Sequence, residues 1–188
     1  MIQQAIDIIC KALAKGGFET TPPIARNIAE LIADPGADNT QAVIVSLINI
    51  EENRVSRDPR NYLRPAPGSG NSVILKNPAV HLNLTLLFTS VRSGQGYENA
   101  LMDIQKVIGF FQQKMVFDAS NTDPFPAPIE KLIVEMLSLN LEQLHQLWSM
   151  LGGKYYPSVA YKVRMVTIDS IKPETGEVIT EIETKYYV

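Results

Sequence analysis

This 188-residue sequence predicts an α+β fold: a mixed, mainly antiparallel sheet with helices packed against it. Three observations carry that prediction. Short segments alternate apolar and polar residues with a period of two, as in VHLNLTLLFTS. Others repeat apolar residues at spacings of three and four, as in IQQAIDIICKALA. The two kinds are interleaved as helix, strand, long insertion, strand, helix, strand, helix, strand, strand.

The first helix is expected over residues 1–15, with Ile2, Ile6, Ile9 and Leu13 on one stripe and Gly16 and Gly17 ending it. Residues 18–40 are ambiguous. Ile24, Ile28 and Leu31 fit a short helix, while Pro22, Pro23 and Pro35 fit a loop-rich connection. AVIVSLINIEE, residues 42–52, reads as a strand with apolar residues on both faces, hence covered on both sides for most of its length. Residues 80–90 form the cleanest strand, with Val80, Leu82, Leu84, Leu86 and Phe88 on one face.

A helix follows from about Tyr97 to Lys114, with an apolar stripe of Tyr97, Leu101, Ile104, Ile108, Phe111 and Met115. IEKLIVEML, residues 129–137, fits a strand or a helix, and the strand is favoured because it gathers Leu132, Val134 and Met136 on one face. Asn140 with Gln143 three residues on marks a capping box, and Leu139 and Leu144 a hydrophobic staple. The helix behind that cap buries Leu144, Leu147, Trp148 and Leu151, with Gly152 as its C-cap. Residues 158–169 and 176–188 then read as a hairpin turned at Pro173, Thr175 and Gly176.

Residues 53–79 break the pattern. They hold Arg54, Arg57, Arg60 and Arg64 with four prolines and two glycines, and fit neither a core helix nor a regular strand. A connection this long is often functional in a compact domain. A surface loop is one reading. An extended arm or long hairpin that meets a neighbour is the other. The arm reading accounts for Tyr62, Leu63, Val73, Ile74 and Leu75, and arginines suit carboxylates on a partner. No internal repeat or second-domain boundary is evident, so residues 1–188 read as one domain with an arm or loop at about 53–79.

Seventeen Lys and Arg against 20 Asp and Glu give a net charge of −3, which argues against a nucleic-acid partner. No segment has the features of a signal peptide or the roughly 18 apolar residues of a bilayer span, so an intracellular protein with no membrane partner is expected. Cys10, the single cysteine, lies in an apolar run and reads as a small buried hydrophobe. His81 and His145 have no partner at metal-ligand spacing. No GxSxG, GxGxxG or Walker motif occurs. Glu51 and Glu52 fall on opposite faces of a strand end, a poor start for a cation site. The expectation is a protein that works through contacts, with no catalytic residue, metal or cofactor.

Three segments sharpen that expectation: SLINIEENR, NPAVHLNLTLLFTS with YENALMDIQKVIGFFQQKMVF, and LNLEQLHQLWSMLGGKYYPSVAYKVRMVTID. Together they resemble the cap, or tail-terminator, proteins of phage-tail-like contractile injection systems. The resemblance runs from Met1 to about Asp169, and LWSMLGGKYYPSVAYKVRMVTID is its most specific piece. It rests on Asn77 and Pro78 before the alternating strand, Leu147 and Trp148 in the leucine-rich helix, and the turn Gly153, Tyr155, Pro157 and Ser158. Arg54, Arg57 and Arg60 match the Arg-rich piece after the first strand. IARNIAELIADPG is a departure, being more helical than the early strand of that family.

The resemblance implies a tail-terminator-like fold and no catalysis. It implies a homohexameric ring that caps the inner tube and sheath at the end distal to the baseplate, after assembly in the cytoplasm. Partners are then a second copy, the tube protein and the sheath protein. A sheath–tube adaptor or baseplate component is the alternative within the same apparatus, and a small hydrolase the alternative outside it. Contacts are expected at Arg54, Arg57, Arg60, Tyr62, Arg64, Tyr155, Tyr161, Arg164 and Tyr186. Residues 53–79 and the 158–188 hairpin would carry the assembly surfaces, with the Trp148 helix in the core.

Overall fold

The computed structural model describes residues 1–33, 41–53, 62–63, 72–75, 81–92, 96–127, 129–167 and 174–177. The first helix, α1 (Ile2–Lys15), follows the apolar stripe and closes at Gly16, whose N–H donates to the Ala12 and Leu13 carbonyls at 3.0 Å. The ambiguous segment holds both a strand, β1 (Ile24–Ala25), and a short helix, α2 (Ile28–Ala33). Ser46 joins them. Its buried hydroxyl donates to the Arg26 carbonyl (2.7 Å) and accepts from the Ile28 N–H (3.1 Å), so a tertiary contact starts a helix too short to stand alone.

The chain continues through β2 (Ala42–Glu52), β3 (Tyr62–Leu63), β4 (Ser72–Leu75), β5 (Leu82–Val91), α3 (Tyr97–Gln113), β6 (Val116–Asp118) and β7 (Ile129–Leu137). It then forms α4 (Leu141–Met150), β8 (Ser158–Thr167) and β9 (Glu174–Glu177). The main sheet has the order β1-β2-β5-β8-β7-β6, antiparallel except for the β1–β2 pair, so the expected α+β class is the observed one. No helix among the described residues is long and apolar enough to cross a membrane.

Both faces of the sheet are packed. On one, Val43, Val45, Leu84, Leu86, Phe88, Leu132, Val134, Tyr161, Val163 and Met165 meet Ile9 and Leu13 of α1 and Val107 and Phe111 of α3. Aromatic edges tighten this layer: Phe111 lies 4.6 Å from Tyr161 and 5.3 Å from Phe88, ring centre to ring centre. On the other face, Ile44, Leu87 and Ala160 pack with Ile28 and Leu31 of α2 and Trp148 of α4. The expected capping box is present, with Gln143 N–H to Asn140 Oδ1 at 2.8 Å and Asn140 N–H to Gln143 Oε1 at 3.0 Å. The helix closes where Gly152 and Gly153 take φ of 111° and 76°, a region costly for a side-chain-bearing residue.

Four expectations are corrected. Cover on β2 ends early: Ala42–Ser46 are buried on both faces, but Leu47 and Ile50 are exposed. The α3 stripe is rotated. Its buried face is Ala100, Asp103, Val107 and Phe111, while Tyr97 and Leu101 point outward at 62% and 46% exposure. Met115 is exposed as well. Met136 lies beyond the part of β7 that β6 covers, and is exposed although it shares a face with Leu132 and Val134.

The fourth concerns the C-terminal hairpin. From Ala160 to Met165 both edges of β8 are occupied, by β5 and β7, so no hairpin partner can pair there. Thr175 and Gly176, expected in the turn, lie instead in β9, opposite Ile74 and Val73 of β4. The rest of the expected second strand, residues 178–188, lies outside the described residues. A second sheet, β3-β4-β9, therefore joins a hairpin from within the Arg-rich insertion to the segment after β8.

Candidate assembly surface

Helices α2 and α4 cover only one end of their face of the main sheet. Register shows what lies at the other end. One row across the strands is Asn49, Thr85, Lys162 and Glu135; the next is Glu51, Asn83, Arg164 and Ile133. Residues paired across antiparallel strands share a face, so two polar rows continue directly from the buried Leu87–Ala160 row. Alternation dictates this. Lys162 and Arg164 point away from Tyr161, Val163 and Met165, and Glu135 points away from Val134.

The charges are paired between strands and wet. Arg164 Nη2 contacts Glu135 Oε1 with the two side chains 41% and 49% exposed. Lys162 Nζ lies 3.9 Å from Glu51 Oε2. Such exposed pairs add little to stability. Two polar atoms here remain unsatisfied: Asn83 Oδ1, on a residue only 8% exposed, and Arg164 Nε. Both atoms are themselves buried, so what this strip offers to a partner is the exposed heads of its ion pairs, which can exchange for charges on another chain.

The remaining expected contact residues fall in several places. Tyr155 is 58% exposed and stacks edge-on against Trp148 at 5.7 Å, so the core fixes the base of an outward ring. Tyr161 is a correction: at 3% exposure it belongs to the aromatic core, and burial pushes its phenol up to about 12. Tyr62 opens β3, paired with Leu75. Arg54, Arg57, Arg60, Arg64 and Tyr186 lie outside the described residues. Glu51, Asn83, Glu135 and Lys162 were missed, although their alternation against buried neighbours was visible in the sequence.

Two further features of the described residues concern a thiol and the metal-ligating side chains. Burial, with Asp7 nearby, pushes the Cys10 thiol up to about 12, so it stays protonated at neutral pH. No group of three His, Cys, Asp or Glu side chains among them is placed to hold a metal.

A curled, mainly antiparallel sheet with a helix pair on one face, and an open polar strip on the other, defines a scaffold that presents surfaces. The chain belongs to the Pvc16 N-terminal domain family, whose model matches residues 19–181. Its fold is similar to that of the PVC sheath/tube terminator of an extracellular contractile injection system in its extended state. That match has a TM-score of 0.67 at 13% identity over 100% of this chain and 63% of the other. It is also similar to the tube-terminating cap of the anti-feeding prophage, with a TM-score of 0.62 at 17% identity over 97% of this chain and 60% of the other. The chain thus spans about three fifths of the length of these solved terminators. No curated protein sequence matches it.

Proposed function

We propose that this chain is a structural cap that ends the inner tube and sheath of a contractile injection system. The observation that carries the reading is membership of the Pvc16 N-terminal domain family over residues 19–181, together with a fold similar to 63% of a sheath/tube terminator. The cap is a homohexameric ring, because closed symmetry is the simplest way to finish a six-fold polymer without starting another layer. Its partners are its own copies, the tube protein and the sheath protein, without nucleic acid or membrane. It assembles in the cytoplasm and comes to rest at the end of the particle distal to the baseplate.

Residues 1–188 act as one domain whose arm, about residues 53–79, reaches a neighbour. The pairing of β4 with β9 supports this, since it ties both expected assembly segments into one small sheet. Arg54, Arg57, Arg60, Tyr62, Arg64, Tyr155, Arg164 and Tyr186 remain the contact residues of the reading, joined by Lys162 and Glu135 on the open sheet face. Cryo-electron microscopy of particles carrying a tag on this chain is expected to show six copies of density at the end opposite the baseplate. Density at the baseplate would overturn the reading in favour of an adaptor.

A further inference from the structure

Two surfaces on one layer of the molecule have chemistry that matches. The first is a cleft of about 490 Å³ where the C-terminal ends of α1 and α3 meet the 121–124 loop. Its floor is apolar, formed by Ile8, Ala12 and the Phe110 ring. That ring packs against Gly16, where a Cβ would come within 2.4 Å of it. Lys11, Lys15 and Lys114 line the cleft, against one carboxylate, Asp123. Lys114 is committed, donating to the Asn121 carbonyl at 2.8 Å and Thr122 Oγ1 at 3.0 Å. Lys11 and Lys15 are exposed and have no ion-pair partner among the described residues. The loop wall is braced: Ser120 donates twice to Asp118 Oδ1, and Asn121 donates to the Val116 carbonyl.

The second surface is the opposite end of α3. Tyr97, Leu101 and Met102 are 62%, 46% and 54% exposed there, beside the exposed Glu98 in the first turn. Seventeen residues of helix place it about 25 Å from the cleft.

We propose that the α3 N-terminal end of one copy seats in the lysine-rimmed cleft of the next. The apolar side chains fill the floor, and Glu98 meets Lys11 and Lys15. Charges complement, and so do backbone dipoles: the positive end of one helix faces the negative ends of two others. Because the surfaces differ and lie at opposite ends of one element, the contact is heterologous and repeats from copy to copy, as a ring requires. The inference rests on the ring reading above and names its interface.

Sedimentation velocity on the purified full-length chain tests it. Glu98→Lys, and separately Lys11→Glu with Lys15→Glu, are expected to weaken self-association at least about tenfold. Combining all three is expected to restore it to within about threefold of the original, which a merely misfolded variant cannot do. Leu101→Ser is expected to weaken association without rescue by charge. Self-association indifferent to the charge reversals would overturn this interface and leave the ring reading standing. So would failure of the triple variant to recover, or an unaltered chain that stays monomeric at about millimolar concentration. The ring reading itself fails separately, if tagged particles show no ring of this chain at their ends.

Discussion

Asp103 is a buried carboxylate on the core face of α3, at 4% exposure, and is held by three donors. Ser90 Oγ lies at 2.7 Å, Arg92 Nε at 2.9 Å and Arg92 Nη2 at 2.7 Å, all on Oδ2. Arg92 in turn donates to the Gln41 carbonyl at 3.3 Å, which ties α3 to the start of β2 and the end of β5. Asp103→Ala leaves the largely buried Arg92 guanidinium without its carboxylate, and is expected to cost about 3 kcal/mol in urea unfolding, with Asp103→Asn losing less. Asn140→Ala, which removes the capping box of α4, is expected to cost about 1 kcal/mol by the same measurement.

Tyr161 and Cys10 give the fold an alkaline limit. The phenol moves from 10.0 to about 12 and the thiol from 9.0 to about 12, both by burial. Between those values the unfolded chain loses protons that the folded chain keeps, so stability falls as pH rises. Tyr161→Phe is expected to flatten that fall between pH 10 and about 12 and leave neutral stability nearly unchanged. An unaltered slope would show that the phenol ionises freely in the fold.

Among elements, what could be read from the sequence depended on whether the signal was local. The helices α1, α3 and α4 and the strands β2, β5, β7 and β8 follow from periodicity and caps carried within each segment. The Asn140 cap is the clearest case, since its partner stands three residues away. What stayed hidden was set by distant partners. Helix α2 begins where Ser46, eighteen residues on, accepts its first N–H. The stripe of α3 was misplaced because Tyr97 and Leu101 are apolar without being buried, and period alone cannot tell a core stripe from a docking stripe. Thr175 and Gly176 have turn chemistry, yet they pair with β4 across some hundred residues of chain.

The candidate surface was partly legible. Arg164 and Tyr155 sit where contact is possible, and Tyr161 does not. Strand β4 lies between β3 and β9, so a proline within it breaks a ladder bond to one of them. Ile74→Pro is therefore expected to leave thermal unfolding of the main core within a few degrees of the original while reducing incorporation into particles. Normal incorporation would remove the arm from the assembly surface.

At the scale of the whole molecule, the design is a sheet packed on both faces with its exposed polar chemistry at the margins. Both cores are closed by helices, so stability does not depend on the open polar rows or on the exposed end of α3. Surfaces that contribute little to folding are free to serve contacts, and the described residues offer three: the polar strip, the small sheet and the lysine-rimmed cleft. In the role proposed above, these surfaces hold copies of the chain, the tube and the sheath together.

The length of particles made without this chain tests the central claim most directly. Electron microscopy of a producer lacking it is expected to show tubes or sheaths of abnormal and widely scattered length, corrected when the intact chain is supplied. A length distribution matching that of the unaltered producer would contradict a terminating role.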